Sequence, residues 1–373
     1  MQAPPRRFRR FVVRVLLLVI WLGSGAFLFA WSGIYNVAAS SGHWTIVEGF
    51  LRFGMRHSVS LRAGGIEEPD LNSRDLIALG AGHFERGCAL CHGSPGRPGS
   101  PVTGAMLPPP PSLSTPLYPW TDQELFWIVR HGIKYTGMPA WPALERTDEV
   151  WAMVAFIRKL SDIDADEYRA LALPRSGQHE RQQAPGDGTV AELVQKCASC
   201  HGDRDSTPES ALVPRLHGQR ETFLANALRQ YASGARPSGI MRPAAAELDA
   251  REIDLLAKYY AELPPIPASP PTIDDTLSAH GRKLATEGDP AKRIPACISC
   301  HRPEAYEAFP SLDGQSAAYL AGQLRLWKSG HNTTTDGAAI MAPIAQRLSE
   351  RDIDALARYF AGNRAREAAE ARQ

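Results

Sequence analysis

The chain has 373 residues, of which 44% are hydrophobic and 22% charged, and this composition excludes a wholly disordered protein. Its formal net charge of +1 excludes the strongly basic surface expected of a nucleic-acid-binding protein. The length suffices for two or three domains of ordinary size.

The amino terminus predicts a membrane anchor. Residues 1–10 are rich in arginine, and residues 11–31 are an apolar run whose one charged residue is Arg14. At about 1.5 Å per residue such a run spans the roughly 30 Å hydrocarbon core of a bilayer. The positive-inside rule then predicts a single-pass protein of the bacterial inner membrane, with its later domains on the periplasmic side.

A cleaved signal peptide is the alternative for the same segment. The small residues Val37, Ala38 and Ala39 resemble a cleavage site. The apolar run is, however, longer than the roughly 7 to 15 residues usual in signal peptides. Length therefore favours the anchor.

Residues 33–72 follow as a juxtamembrane connector. Apolar residues alternate there with Arg52, Arg56 and Arg62. This mixture is typical of a helix lying on a membrane surface, and equally of a segment packed against the next domain. The sequence leaves both alternatives open.

Three modules are predicted after the connector, because a motif recurs. The run Cys197–His201 returns 100 residues later as Cys297–His301, and Pro214-x-Leu-x-Gly-Gln returns as Pro310-x-Leu-x-Gly-Gln. The predicted segments are module one at 74–161, a polar linker at 162–187, module two at 188–263, a Pro-rich linker at 264–273, module three at 274–362 and a polar tail at 363–373.

The modules are predicted to be helical. Thr121 and Glu124 form a capping box before an apolar run, Asp249 and Glu252 form another, and Ser349 opens a third helix. Alternating strand patterns of useful length are absent from the sequence. The predicted fold class is mainly α with long irregular loops, after one N-terminal transmembrane helix.

All six cysteines belong to Cys-x-x-Cys-His runs, the attachment signature of c-type haem. Two thiols at this spacing can form thioethers with the vinyl groups of one porphyrin, and the adjacent histidine then ligates the iron. A zinc site needs four ligands closer in sequence, and a redox dithiol does not require the histidine. The predicted covalent haem residues are Cys88, Cys91, Cys197, Cys200, Cys297 and Cys300, and the predicted proximal ligands are His92, His201 and His301.

One methionine in each module is the predicted second axial ligand of the iron. Met138, Met241 and Met341 lie 46, 40 and 40 residues after the respective histidines, and each is followed closely by a proline. We expect all three to lie in loops before the last helix of their module. Histidine with methionine opposite is the ligation that raises haem potential. A methionine that only fills the core is the alternative at each position.

Other residues are weaker candidates. His131, His217 and His331 are possible rival ligands, although lone histidines are more often surface or core residues. Met106 is excluded because it follows His92 too closely in sequence. The carbonyls near the prolines that follow each motif are expected to accept the other imidazole proton and so fix the tautomer of the histidine. These prolines are Pro111, Pro214 and Pro310.

On these motifs the chain resembles the class I c-type cytochromes. Modules two and three are similar to the tandem two-haem cytochrome c4 type, through Cys-x-x-Cys-His, Pro-x-Leu-x-Gly-Gln and the later methionine. Module one is similar to a single-haem cytochrome c domain, with Gly80, Phe84 and Cys88 at four-residue spacing. The resemblance implies cytochrome c-like haem domains, each a bundle of helices around one haem that carries one electron.

The predicted function is that of a membrane-anchored electron carrier with three covalently attached c-type haems and no catalytic residues. Its expected partners are a dehydrogenase or quinol-oxidising complex on one side and a terminal oxidase or reductase on the other. A cytochrome c subunit of a membrane-bound dehydrogenase is the alternative, and a haem peroxidase is a further one because two-haem peroxidases exist.

Overall fold

The computed structural model describes residues 6–115, 120–173, 188–266, 275–302, 306–331 and 334–370. Within these ranges the chain is helical and forms no β-strand, only three isolated bridges. The prediction of a mainly α fold is confirmed. Parts of the predicted basic segment, linkers and tail, at 1–5, 174–187, 267–274 and 371–373, lie outside the described residues.

The first helix, α1 (Arg6–Trp31), is exposed along its whole length. Among the described residues it is the one helix that is long and apolar enough to cross a membrane. Its length and its position near the amino terminus fit a membrane anchor and also a signal sequence.

The connector contains a second helix, α2 (Thr45–Ala63), that packs against module one by one face. Val59 and Ala63 on that face are buried, and the Arg56 guanidinium lies 5.4 Å from the ring centroid of Trp120. This face of α2 therefore packs against module one. The opposite face remains exposed and carries Ile46, Phe50, Phe53 and Leu61.

Module one is built on two crossing helices. Its helices are α3 (Arg74–Gly87), α4 (Ala89–His92), α5 (Pro101–Gly104), α6 (Asp122–His131) and α7 (Thr147–Leu160). A Cβ atom at Gly80 of α3 would lie 2.1 Å from the Ala152 carbonyl oxygen of α7, so only glycine permits this crossing. The predicted capping box at Thr121 opens α6, and Gly132 ends it with a φ of 64°.

Module one continues beyond its predicted end at 161. A further helix, α8 (Ala165–Ala172), lies inside the predicted polar linker, and its Tyr168 is 2% exposed. The Tyr168 hydroxyl donates to Glu85 of α3 at 2.6 Å. One aromatic residue thus ties this short polar stretch to the core, a long-range contact that local polarity does not reveal.

Modules two and three repeat one arrangement. Module two contains α9 (Gly188–His201), α10 (Glu221–Ser233), α11 (Met241–Ala246) and α12 (Ala250–Glu262), and module three contains α13 (Asp275–Glu287), α14 (Ile298–His301), α15 (Ala317–Lys328), α16 (Asp336–Ala345) and α17 (Glu350–Glu370). Each module has its own hydrophobic cluster. The helix α17 continues past residue 362 into the predicted tail.

Adjacent modules contact each other directly. The helix α3 of module one lies against the second cysteine motif, where Arg86 Nη2 donates to Ser199 Oγ at 2.5 Å. Asp75 on the same helix accepts a hydrogen bond from the backbone amide of Ala211 at 2.7 Å. The modules are therefore packed together at these surfaces as well as joined by the chain.

Candidate haem-binding site

One continuous, largely apolar cavity runs through all three modules. Its volume is about 1760 Å³, which exceeds the roughly 300–1,000 Å³ usual for a single small-molecule pocket. The predicted site residues that line it are Cys88, Cys91, His92, Met138, Cys197, Cys200, His201, Met241, Cys297, Cys300, His301 and Met341. The fold thus brings all twelve predicted residues to the wall of one cavity.

The cysteine thiols are free and poorly suited to redox exchange. Burial raises the pKa of Cys88 to about 12, and that of Cys197 and Cys297 to about 11. Reactive dithiols instead need a lowered pKa, because the thiolate is the nucleophile. Among the described residues no group of three or more His, Cys, Asp or Glu is placed to hold a metal ion. The redox-dithiol alternative therefore lacks support at these buried thiols.

A proline carbonyl orients each motif histidine. The Nδ1 atoms of His92, His201 and His301 lie 2.8, 3.1 and 2.9 Å from the carbonyl oxygens of the three predicted prolines, Pro111, Pro214 and Pro310. A carbonyl can only accept, so Nδ1 carries the proton and the Nε2 lone pair remains for iron. The prediction about these carbonyls is confirmed.

Burial also keeps two of these imidazoles neutral. It lowers the pKa of His201 to about 4, with Arg86 and His217 acting in the same direction against the Pro214 carbonyl. Burial likewise lowers the pKa of His301. Neutral imidazole is the form that ligates a metal.

The predicted methionine ligands differ in local structure. Met138 lies in a loop and Met241 begins α11, whereas Met341 lies inside α16. The expectation that all three methionines lie in loops is therefore wrong for Met241, the first residue of a helix, and for Met341, which lies inside one. The reason at Met341 is local, because Thr335 caps α16 through a 3.1 Å bond from the Ala338 amide and alanine-rich sequence follows.

The structure bears differently on the rival methionine and on the three rival histidines. Met106 also lines the cavity, and its Sδ would lie 2.9 Å from a Cβ at Gly137, the residue before Met138. Sequence proximity to His92 thus does not exclude Met106. His131, His217 and His331 are not among the residues that line this cavity.

The cavity wall also contains polar groups that suit a cofactor bearing carboxylates. The Trp327 Nε1–H is buried and has no hydrogen-bond partner among the residues that the structure describes. Arg236 lines the cavity with its guanidinium carbon 4.9 Å from the Tyr231 ring centroid, and it donates to two neutral groups, Gln323 Oε1 at 3.0 Å and the Tyr319 hydroxyl at 3.3 Å. Haem carries two propionate carboxylates, which would satisfy such donors. The residues present therefore fit a haem cofactor.

Two glutamines link the sites of modules two and three reciprocally. Gln219 accepts from the Ser311 amide at 2.8 Å and donates to the Ser311 carbonyl at 2.9 Å. Gln315 makes the same pair of bonds with Arg215, at 2.9 and 3.0 Å. Ser311 and Arg215 directly follow the prolines that orient His301 and His201. The repeated motif showed that these glutamines matter, but it did not reveal that each acts on the other module.

Sequence reasoning missed two cavity residues at the contact between modules one and two. His83 lies on α3 near Trp141, with ring centroids 5.0 Å apart, and burial lowers its pKa to about 4. Glu149 lies in the first turn of α7 and is 2% exposed. Neither belongs to a motif, so only the three-dimensional packing identifies them.

Comparisons with known proteins agree with this site. Residues 75–157 match the family model described as cytochrome c oxidase, cbb3-type, subunit III. A thiosulfate dehydrogenase electron acceptor from Thiomonas intermedia is 39% identical over 168 residues, which are 44% of this chain and 77% of that protein. A cytochrome c4 from Stutzerimonas stutzeri is 30% identical over 197 residues, 48% of this chain and 90% of the relative.

A solved structure is also similar. The crystal structure of reduced recombinant cytochrome c4 from Pseudomonas stutzeri matches with 29% identity and a TM-score of 0.42, covering 48% of this chain and 98% of that one. The chain belongs to the class I c-type cytochromes, with c-type haem as its cofactor. Its relatives include the two-haem cytochrome c4 type, and its role is in electron transfer.

Proposed function

We propose that this chain relays single electrons through three c-type haems, one in each module. The continuous cavity carries the proposal, because residues of all three Cys-x-x-Cys-His motifs line it. Bound haem iron supplies one-electron redox chemistry. The thioether residues would be Cys88, Cys91, Cys197, Cys200, Cys297 and Cys300, and the axial ligands would be His92 with Met138, His201 with Met241 and His301 with Met341.

The protein residues define what each site can do. The proline carbonyls hold the histidines with Nε2 free, and a methionine on the opposite side would occupy the remaining axial position. Such a site has no open position at which peroxide or another substrate can bind iron. An electron carrier is therefore favoured over a haem peroxidase.

The proposed place of the carrier is the periplasmic face of the inner membrane. The helix α1 would be a retained anchor, and the exposed apolar face of α2 would lie at the membrane surface beside it. Module one packs against α2 and would thus be nearest the membrane. Electrons would come from a quinol- or substrate-oxidising complex and leave to a terminal oxidase or reductase.

Optical and kinetic measurements on the purified full chain test the carrier proposal. Three low-spin haems with near-infrared methionine–iron absorption, and no turnover of hydrogen peroxide, are expected. A high-spin haem in the oxidised protein together with peroxide turnover would contradict the proposal and favour an enzyme.

A second candidate function is to accept electrons as a subunit of a dehydrogenase. Two relatives named thiosulfate dehydrogenase electron acceptors favour it, since they are 39% and 33% identical over 44% and 47% of this chain. Anaerobic mixing of the oxidised chain with a thiosulfate dehydrogenase and thiosulfate should then reduce its haems. Reduction by a quinol oxidoreductase and not by the dehydrogenase would instead favour the general carrier.

A further inference from the structure

The carboxylate of Glu149 is buried where module one meets module two, and four donors surround it. Two come from module one: Trp141 Nε1 at 3.1 Å and Arg146 Nη1 at 2.8 Å. Two come from module two: Ser238 Oγ at 2.5 Å and the Gly239 amide at 2.6 Å. Burial raises the pKa of Glu149, whereas Arg146, Ser238 and Gly239 act to lower it. A carboxylate accepts about four hydrogen bonds and donates none, so the four donors suit the ionised form.

These bonds reach the predicted iron ligand of module two. The hydroxyl of Ser238, which donates to Glu149, accepts a hydrogen bond from the Met241 amide at 2.9 Å. It also accepts from the Ile240 amide, at 3.2 Å. Glu149 is thus two hydrogen bonds away from the backbone of Met241, although it belongs to another module.

Close packing at Gly239 fixes the same loop. A Cβ atom at this position would lie 2.0 Å from Trp141 Nε1, so any other residue would push the indole away from the loop. Arg146 adds a hydrogen bond to the Pro237 carbonyl at 3.0 Å. Module one therefore contacts three successive residues before Ile240 and Met241.

The duplicated module provides an internal comparison. At the repeat offset of 100 residues, Ser238 and Gly239 correspond to Ala338 and Ala339. There the chain forms the helix α16, capped within its own module by Thr335, and Met341 lies inside that helix. Module three thus fixes its methionine by local helix formation, whereas the corresponding loop of module two is held by module one.

We propose that Glu149 of module one is a positioning residue for Met241, the axial ligand assigned to the haem of module two. The inference rests on the proposed ligation by Met241. In this arrangement, the docking of module one onto module two sets the strength of the methionine–iron bond in module two. Loss of Glu149 would leave the loop donors buried without an acceptor, and the loop would move to satisfy them.

Glu149→Gln in the full, haem-loaded chain is the first test. The glutamine has nearly the same shape, but its amide N–H groups would face donors. Imidazole titrations of the oxidised protein measure how easily methionine is displaced from each iron. We expect one of three haems to bind imidazole about ten- to hundredfold more tightly, because a hydrogen bond to a charged group is lost. The methionine–iron absorption should fall by up to a third.

Three further variants make the test decisive. Ser238→Ala removes only the bridging hydroxyl and should act in the same direction, and it decides the question if the glutamine variant binds fewer than three haems. Asp162→Asn, an exposed carboxylate of module one that accepts from Ser161, should leave all three titrations unchanged. Met241→Ala should abolish a third of the methionine–iron absorption.

The outcomes separate this inference from the proposed ligation. If Met241→Ala leaves the absorption unchanged, the ligation by Met241 is wrong. If Met241→Ala removes a third of the absorption while Glu149→Gln and Ser238→Ala leave every imidazole titration unchanged, the positioning role of Glu149 is wrong.

Discussion

At the scale of single residues, the histidines and the methionines of the site are determined in different ways. Each histidine follows its cysteine pair directly, and a proline carbonyl within 3.1 Å sets its tautomer. The sequence predicts both features because the motif is local and the prolines recur. The methionines lie at least 40 residues away, so their approach depends on packing between distant segments.

The first module shows this dependence, because Met106 and Met138 both reach the cavity. We expect Met138→Ala to remove about a third of the methionine–iron absorption and to lower the potential of one haem, since a thioether ligand raises that potential. Met106→Leu, which keeps the volume and removes the sulfur, should change neither. Spectra and redox titrations of the two variants provide the check. The opposite result would assign the ligand to Met106.

A second residue-scale prediction concerns Asp352, which is 2% exposed at the start of α17. Burial by itself raises its pKa, but the Ser349 amide, His280 and Lys292 donate to the carboxylate and together hold its pKa well below the usual range. The unfolded chain binds this proton near pH 4. The carboxylate therefore stabilises the folded state above that pH, and this contribution is lost as pH falls further.

Asp352→Asn should accordingly lower the stability of module three by about 1–3 kcal/mol at neutral pH, because buried donors lose a charged acceptor. The difference from the parent should shrink below about pH 4, where Asp352 of the unfolded parent begins to protonate while the folded carboxylate is still ionised. Denaturant unfolding of the haem-loaded chain from pH 7 to pH 3 measures this. A difference that stays constant over this range would contradict the role given to the charge.

At the scale of helices, two crossings depend on glycine. Gly80 lies against Ala152 of α7 in module one, and Gly281 lies against Ala355 of α17 in module three, where a Cβ would approach the carbonyl oxygen to 2.2 Å. Backbone atoms cannot move aside as a flexible side chain can. In modules one and three these crossings place the helix before the cysteine motif, α3 or α13, against α7 or α17.

Gly281→Ala is expected to destabilise module three by about 1–3 kcal/mol, the usual cost of overpacking. Gly54→Ala is the control, since Gly54 also lies inside a helix, α2, but is exposed and has no atom within 4 Å of its Cβ position. That variant should be neutral or more stable by up to about 1 kcal/mol. Denaturant midpoints of both proteins give the comparison, and equal destabilisation would show that helix propensity, not the crossing, decides.

Helices that begin with a strong local signal were predictable. The capping boxes at Thr121 and Asp249 form as the sequence predicts, because the cap and its third residue satisfy each other's backbone donors. The helix α8 was missed because its attachment depends on Tyr168 reaching Glu85 across the chain. The helical setting of Met341 was missed because the proline at 343 suggested a loop.

At the scale of the whole molecule, the repeat predicted three modules but not how they meet. The spacing of the motifs is equally consistent with three tethered domains and with one packed unit. The reciprocal bonds of Gln219 and Gln315, and the contact of Glu149 with Ser238, join neighbouring modules around one cavity. Such contacts join residues about 90 to 100 positions apart. A search for local sequence patterns does not detect them.

The haem content of the mature full-length protein tests the central claim most directly. Intact-mass spectrometry of the denatured polypeptide counts covalently attached groups without depending on spectra or activity. The account predicts an added mass of three haems on every chain. An added mass of two haems, with one of the three cysteine pairs recovered as free thiols, would contradict the three-haem relay.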